Sequence, residues 1–199
     1  RRLDVAATPR SYPGAEKLKG VPLAELEQGM RKLLGSGKAG ASAHAGRLLA
    51  AWLQQNPGQT QLLMDSIIAG AFPEALRSAA FFGLMKAGTP EAHRALIAAA
   101  GASSLSVVDR TRGIVALAEV PSPNRETLDA LHDISAPADG LKYDETQNTA
   151  TRALGKLEHN TRTSHPELAA ELHRILTDRL RTARSGQELM ATSVAVYNS

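Results

Sequence analysis

Apolar residues recur at steps of three and four positions along almost the whole chain, and this period constrains the fold more than any other feature. The stretch PLAELEQGMRKLLGS, which starts at Pro22, places its leucines and Met30 on one helical face and ends at Gly35 and Gly37. About ten such segments follow one another to residue 199. Aromatic residues make up only 4% of the chain, and the few Val and Ile residues do not alternate as in strands. The sequence therefore predicts an all-α fold.

The helical pattern also repeats. Aligning GLMKAGTPEAHRALI with IVALAEVPSPNRETLDAL places Leu84 on Leu117 and Pro90 on Pro123, an offset of 33 residues. The segment ATRALGKL repeats the same pattern, and its Leu154 lies 37 residues after Leu117. A period of about 33 to 40 residues, made of two helices, is typical of an α-solenoid, whose helical pairs bury their apolar faces against neighbouring pairs. Because the spacing drifts, we predict an α-α superhelix of degenerate HEAT-like helical pairs.

Glycines in the second helix of each pair indicate close helix packing. Gly83, Gly113 and Gly155 each lie within a predicted helix, where glycine costs about 1 kcal/mol relative to alanine. We therefore expect a neighbouring helix to approach closely at these positions.

The ends of the chain differ from its middle. Residues 1–22 hold several prolines and glycines without an apolar period, which predicts a linker or extended tail. Residues 23–199 are predicted to form a single α-solenoid domain. The chain opens RRLDVAATPR without methionine and stops at VYNS within a predicted helix. We therefore expect a fragment of a longer protein, truncated within its last helix, which would expose an apolar face there.

Composition and charge exclude several classes of function. The net charge of +3 is too small for a dedicated nucleic-acid binder, so nucleic acid is disfavoured as a partner. The absence of cysteine excludes disulfides, thiolate zinc sites and a cysteine nucleophile. No apolar run approaches the roughly 20 residues that cross a bilayer, so the sequence predicts no transmembrane segment in this chain.

Apparent catalytic motifs do not meet the requirements of their chemistry. At LLGSGKAGAS, residues 33–42, a phosphate loop ending in Gly37 and Lys38 would need its first glycine at position 32, which is Lys32. Ala39 follows the motif lysine, and the stretch therefore predicts an inter-helix turn. The stretch GASAH ends in His44, where a nucleophile elbow requires glycine. The six histidines lack the three- or four-residue spacing that aligns ligands on a helix. We predict no catalytic residue, no cofactor and no metal, and therefore a protein that is not an enzyme.

The segment TRALGKLEHN, residues 151–160, groups Lys156, Glu158 and His159 within a few positions. Helical geometry separates them, because Leu154 and Leu157 turn toward neighbouring helices while the end from Glu158 to Asn160 is expected to face solvent. Lys156 alone is predicted to be available to a partner.

Long basic side chains on the otherwise apolar second helices are the candidate partner-binding residues. They are Arg77, Lys86, Arg110, Arg112, Arg152 and Lys156. Arg179 is a further candidate, since it falls within the apolar stripe of its helix, about 20° from Leu168. It either snorkels or pairs with a carboxylate of a neighbouring repeat, or it anchors a partner. Arg174, Arg181 and Arg184 form another basic side, which is either a solvated face or a surface for an acidic partner or lipid headgroups.

The order of the segments LMKAGTPEAHRALI, VALAEVPSPNRETLDAL, ATRALGKLEHN and ELMATSVAVYNS, from Phe72 to the end of the chain, resembles the helical domain of the large lipid-transfer proteins. That family includes vitellogenin, microsomal triglyceride transfer protein and apolipoprotein B. The resemblance implies an arched two-layer superhelix that contacts partner domains and carries no catalytic residues. It also implies an extracytoplasmic location and lipid as a possible ligand, although this chain has none of the family's β-sheet segments.

The sequence as a whole favours a non-enzymatic α-solenoid scaffold, or interaction module, of a larger protein. Such a module binds a protein partner, or neighbouring domains of its own chain, on the concave face lined by the second helices. The alternative is the helical domain of a lipid-transfer or lipoprotein-associated protein. The sequence alone does not determine the partner's identity, the oligomeric state or the compartment.

Overall fold

The computed structural model describes residues 12–136 and 143–199. Within these ranges the regular structure consists of ten α-helices and two short 3₁₀ helices, Ala15–Leu18 and Pro57–Gln59, with no β-strand. The α-helices are α1 (Leu23–Gly35), α2 (Ala41–Gln55), α3 (Thr60–Ile68), α4 (Glu74–Ala87), α5 (Pro90–Gly101), α6 (Val107–Ala118), α7 (Arg125–Ser135), α8 (Glu145–Thr161), α9 (Pro166–Thr182) and α10 (Gly186–Asn198). The predicted all-α fold is confirmed. None of the helices described is both long and apolar enough to cross a membrane.

Local sequence sets where several helices begin and end. Asp144 precedes α8 and forms a reciprocal capping box: its carboxylate accepts from the Gln147 amide at 2.8 Å, and the Gln147 side chain accepts from the Asp144 amide at 2.7 Å. Asn124 and Thr127 do the same at the start of α7. Gly88 ends α4 with φ 63°, a left-handed conformation that glycine adopts without steric cost. The turn between α1 and α2, which we predicted in place of a phosphate loop, uses left-handed glycines in the same way.

The contacts of the chain divide it into two compact units. Unit 1 includes residues 12–99 and 120–122, and unit 2 includes residues 100–119 and the described residues from 123 to 199. The prediction of a single domain over residues 23–199 therefore stays a prediction.

The core of unit 1 is the contact between α2 and α4. A methyl group on Gly83 would lie 2.8 Å from a side-chain carbon of Leu49 and 2.9 Å from the carbonyl oxygen of Gly46. These separations are shorter than van der Waals contact, so the two backbones meet where glycine leaves room. The fully buried Trp52 and Leu49 of α2 pack in the same core.

Residues 12–22, within the segment assigned to a linker or tail, are attached to α2 in unit 1. The indole of Trp52 donates to the carbonyl oxygen of Val21 at 2.7 Å, and the Asn56 side chain accepts from the Gly20 amide at 2.8 Å. Ala15, in the first 3₁₀ helix, is buried. Residues 1–11 lie outside the described residues.

Unit 2 is built around α8, which packs against α6, α7, α9 and α10. Leu154 and Leu157 are fully buried, as predicted. At Gly155 a methyl group would overlap the backbone of Ala195 in α10, with its α-carbon at 2.8 Å. Gly113 of α6 is also buried. The expectation of close approach is thus confirmed at Gly83 and Gly155.

Helices α6 and α8 run in parallel with a fixed register. Arg110, near the start of α6, donates to Thr146 near the start of α8 at 2.8 Å. At the other end, Glu119 lies 3.8 Å from Lys156. The partners in these two contacts are 36 and 37 residues apart, which matches the 37-residue offset between Leu117 and Leu154. The superhelical stacking of all the pairs stays a prediction.

We predict that Gly155→Ala destabilises the protein by about 1–3 kcal/mol, because the added methyl group meets backbone atoms of α10 that cannot rotate away. Denaturant unfolding followed by circular dichroism measures this change. Gly35→Ala is the matched control, since Gly35 is also helical and an added methyl group there meets nothing within 4 Å. It should leave stability unchanged or raise it by up to about 1 kcal/mol. Equal effects of the two substitutions would contradict the prediction.

Candidate functional site

One side of α6 is exposed and combines apolar and charged residues. Val108, Arg112, Val115 and Glu119 lie within about 60° of one another at 100° per residue. Val108 is 58% exposed and Val115 is 52% exposed, which is high for β-branched apolar side chains in a packed helical unit. Arg112 pairs at 2.7 Å with the buried carboxylate of Asp109 and remains partly exposed. This side of α6 therefore combines two exposed valines with one basic and one acidic group.

The corresponding side of α8 is basic. Thr149, Arg152, Lys156 and His159 lie within about 80° of one another, and the last three are exposed. The ion pair between Lys156 and Glu119 places this side next to the exposed side of α6. Both partners in that pair are 47% exposed, so the pair contributes little to stability and both charges remain accessible to a ligand. Arg152 forms no ion pair or hydrogen bond with the described parts of the chain.

Helix α10 lies on the other side of α8 and continues the same surface. It runs parallel to α8. The charge of Glu188, in the first turn of α10, raises the pKa of Tyr143 just before α8, and Ala195, two turns later, meets Gly155. Ala195 faces α8, and Met190 and Val194 lie about 140° and 100° from it in the direction of Arg152 and Lys156. Tyr197 lies on the same side. Met190 is 67% exposed and Tyr197 is 89% exposed.

Together these three helices present a surface that we call the α6–α8–α10 face. It consists of Val108, Arg112, Val115 and Glu119 of α6 and its C-terminal end, Thr149, Arg152, Lys156 and His159 of α8, and Met190, Val194 and Tyr197 of α10. Its centre is basic and both flanks carry exposed apolar side chains. Exposed apolar groups beside a basic centre that includes the unpaired Arg152 fit a ligand with apolar anchors and carboxylates.

The candidate residues identified from sequence lie in several places. Arg112, Arg152 and Lys156 are brought together on the α6–α8–α10 face. Arg110 points to the opposite side of α6, where it donates to Thr146. In unit 1, Arg77 donates to the Phe72 carbonyl oxygen at 3.3 Å. Lys86, also in unit 1, lies 5.6 Å from the centre of the Phe82 ring, within cation–π range.

Arg179 of α9 closes the end of α7. Its guanidinium donates to the carbonyl oxygens of His132 and Ser135 at 3.0 and 3.1 Å. These oxygens belong to the last turn of α7, where no following helical amide is available to donate to them. Burial lowers the pKa of Arg179 from its usual value, against the opposing effects of Tyr143 and Glu188. The partner of this guanidinium is therefore a helix end, rather than the neighbouring carboxylate that the sequence suggested as one alternative.

Tyr143 lies beside Arg179, at the start of α8. It is buried, and its hydroxyl group hydrogen bonds with the Thr151 hydroxyl and donates to the Gln147 carbonyl oxygen. Burial raises the pKa of its phenol from the usual 10.0, although the Thr151 hydrogen bond and the charge of Arg179 act in the opposite direction. Tyr143 and Arg179 thus fix the start of α8 and the end of α7, and neither belongs to the α6–α8–α10 face.

A second basic surface, around Arg174, borders a groove of about 380 Å³ between α7 and α9. Some of the basic groups along this groove form ion pairs with carboxylates of unit 2. Arg125 donates to Asp129 and to both carboxylate oxygens of Glu171 at 2.8 Å. Arg181, on the same helix as Arg174, lies 3.8 Å from Asp178. This groove therefore offers a net charge close to neutral, unlike the centre of the α6–α8–α10 face.

The expectation that Glu158 faces solvent is wrong. Its carboxylate is buried and accepts from His173 of α9 at 3.1 Å and from Arg162 at 3.3 Å. The physical reason is helical phase, because Glu158 lies about 200° from the exposed Lys156 and so faces α9. His159 and Asn160 are exposed as expected.

The apolar part of the α6–α8–α10 face was not predicted as a site. Val108 and Val115 were not singled out, and for the last helix the sequence predicted an exposed apolar face without naming Met190 or Tyr197. A signal was present, since Val108 and Val115 are seven residues apart and share their side of the helix with Arg112. A helix side that combines valine with arginine is more consistent with an exposed surface than with a core.

We predict that Arg179→Met destabilises the protein by roughly 1.5–3 kcal/mol, because two carbonyl oxygens at the end of α7 lose a charged donor. Arg174→Met is the control, since Arg174 is exposed on the same helix. It should change stability by less than about 0.5 kcal/mol. Denaturant unfolding gives the free energies, and faster amide hydrogen exchange confined to α7 would locate the effect. A stability unchanged by Arg179→Met would contradict this role.

We also predict that the free energy of unfolding falls as the pH rises above 10. The pKa of the Tyr143 phenol is raised in the folded state, so the folded protein keeps this proton at a pH at which the unfolded chain has lost it. The contribution of Tyr143 to the free energy of unfolding is therefore present below pH 10 and lost at higher pH. The free energy of unfolding of the wild-type protein should therefore fall toward that of Tyr143→Phe between about pH 9 and 11. Urea unfolding across this range measures the difference. Tyr197→Phe, at an exposed position, is the control substitution and should change the free energy of unfolding by less than about 0.5 kcal/mol.

Comparison of the chain with models of protein families, with curated proteins and with solved structures returns no match. The resemblance to the large lipid-transfer proteins thus stays a prediction based on the order of the helical pairs. Any function must be argued from the residues and contacts of the chain itself.

Proposed function

We propose that the chain is a non-enzymatic interaction module that binds a protein partner through the α6–α8–α10 face. This proposal is carried by exposed apolar side chains on both sides of Arg152, namely Val108, Val115, Met190 and Tyr197. Arg152 itself has no ion-pair or hydrogen-bond partner within the described residues. Burial of these apolar side chains against a partner stabilises the complex by about 25 cal/mol for each Å² of apolar surface removed from water. The basic centre supplies orientation and selectivity for carboxylates.

The chemistry of this face favours a protein ligand over the other classes. A nucleic acid requires several cations along a backbone path, whereas Glu119 neutralises part of the charge of Lys156 and the flanks are apolar. A lipid chain requires an extended apolar cavity, whereas the apolar side chains of the α6–α8–α10 face lie exposed on either side of a basic centre. The lipid-transfer alternative stays a prediction without a specific contact in its favour.

The proposal includes the superhelical arrangement. If all the helical pairs stack with the register observed for α6 and α8, the second helices line the concave surface that α-solenoids use for binding. Arg77 and Lys86 of α4 stay predicted concave-face residues of unit 1. Neighbouring domains of the same chain are the alternative occupants of a concave face. Arg110 and Arg179 donate hydrogen bonds to groups within unit 2, so they support binding by stabilising the fold.

Site-specific crosslinking tests the proposal. A photo-crosslinkable amino acid in place of Val115 captures the partner in native cells, mass spectrometry identifies it, and calorimetry with the purified partner measures affinity. We predict that Val115→Asp and Arg152→Glu each weaken this binding by roughly tenfold or more, since each places a carboxylate where the ligand is expected to be acidic and apolar.

Arg174→Glu on α9 is the matched control, because it makes the same charge change on an exposed helix outside the face. It should leave affinity within about twofold of wild type. Circular dichroism verifies that each variant is folded. An identified partner whose affinity responds to Arg174→Glu but to neither face variant would rule out this surface as the binding site.

A further inference from the structure

The three cations of the α6–α8–α10 face differ in what already binds them. Arg112 lies 2.7 Å from the carboxylate of Asp109, which is almost fully buried and would be left unpaired if this guanidinium moved to a ligand. Lys156 lies 3.8 Å from Glu119. Arg152 is exposed, and it forms no ion pair or hydrogen bond within the described residues. One positive charge on the face is therefore available to a ligand without the loss of an existing contact.

Two exposed carboxylates border the charge of Arg152. Glu119 lies beside Lys156, which is one turn after Arg152 on α8. Glu145 is exposed in the first turn of α8 and precedes Arg152 by two turns, within about 20° of it at 100° per residue. Two turns of helix are about 11 Å long. A ligand carboxylate is therefore attracted at Arg152, whereas a second one further along α8 meets the negative charge of Glu119 or of Glu145.

Helix α10 adds no ionic group to this pattern. Its one charged residue, Glu188, is buried. Its exposed side presents the large apolar side chains of Leu189, Met190 and Tyr197. Such a surface is stabilised by burial against apolar groups and offers nothing to a charged one. The acidic part of a ligand is therefore directed to α8, and the part that lies on α10 is apolar.

From this arrangement we infer that the face recognises a protein segment with one Asp or Glu side chain among apolar residues. Arg152 binds the carboxylate, and Glu119 prevents a second carboxylate from binding at Lys156. The carboxylate belongs to a side chain rather than to a chain terminus, because exposed apolar groups lie on both sides of Arg152 and the ligand continues in both directions. This inference rests on the proposed function and specifies its partner.

Peptide selection tests the inference. The probe is a library of short random peptides, displayed on phage within a coat protein so that no peptide has a free terminus, and selected on the immobilised full chain. We expect the wild-type chain to enrich peptides with one acidic residue among apolar residues. Arg152→Gln should remove the enrichment of acidic residues, and Arg152→Glu should replace it by enrichment of Lys or Arg. Arg174→Gln, at an exposed arginine of α9 outside the face, is the control and should select the same peptides as wild type.

Glu119→Gln separates a role in selectivity from a role in folding. The substitution frees Lys156, so we expect this variant to enrich peptides with two acidic residues. A synthetic peptide of that class should bind the variant about fivefold more tightly than wild type in fluorescence anisotropy, and a peptide with one acidic residue should change by less than about twofold. Glu126→Gln neutralises an exposed carboxylate on α7 and is the matched control, which should behave as wild type.

Several results would overturn the inference. They are enrichment of two or more acidic residues by the wild-type chain, an unchanged selection by Glu119→Gln, acidic enrichment that persists in Arg152→Gln, and the absence of any enriched peptide. In each case the crosslinking experiment still decides the proposed function, because it identifies a partner of any charge and measures its dependence on Val115 and Arg152.

Discussion

The close contact between α8 and α10 at Gly155 is the constraint on which the arrangement of unit 2 depends. Backbone atoms of Ala195 occupy the space that any larger side chain at position 155 would need. Because α8 is also covered by α6, α7 and α9, its position fixes that of every other helix in the unit. Gly46 and Gly83 serve the same purpose between α2 and α4 in unit 1. In both units, close backbone approach sets the register.

Register is what creates the candidate site. Helices α6 and α8 are offset by 36 or 37 residues, and α8 and α10 are offset by 40 residues where Gly155 meets Ala195. This packing brings the exposed sides of the three helices next to one another. The buried pair of Arg179 with the end of α7 and the hydrogen bonds of Tyr143 hold the neighbouring helices in place, and thereby support the same register.

The helices themselves were accessible from sequence, because the three- and four-residue period, Gly88 and the capping residues before α7 and α8 act locally. The glycine contacts were accessible too, since a glycine inside a helix signals a close neighbour. Part of the site was also identified: Arg112, Arg152 and Lys156 were chosen as polar residues on apolar helices. Their apolar neighbours were missed because exposure depends on what covers a helix face, which a single helical pattern does not specify. For the same reason Glu158, expected to be exposed, is buried under α9.

The sequence by itself thus determined the fold class and the positions of the helices, since both follow from interactions between residues close along the chain. Only the tertiary structure decided which helix faces are covered. Packing around α8 buries Glu158, directs Arg179 to the last carbonyl groups of α7, and leaves Val115, Arg152 and Met190 exposed together. The difference is physical: helix formation depends on local hydrogen bonds and periodicity, whereas burial depends on contacts between residues 30 to 50 positions apart.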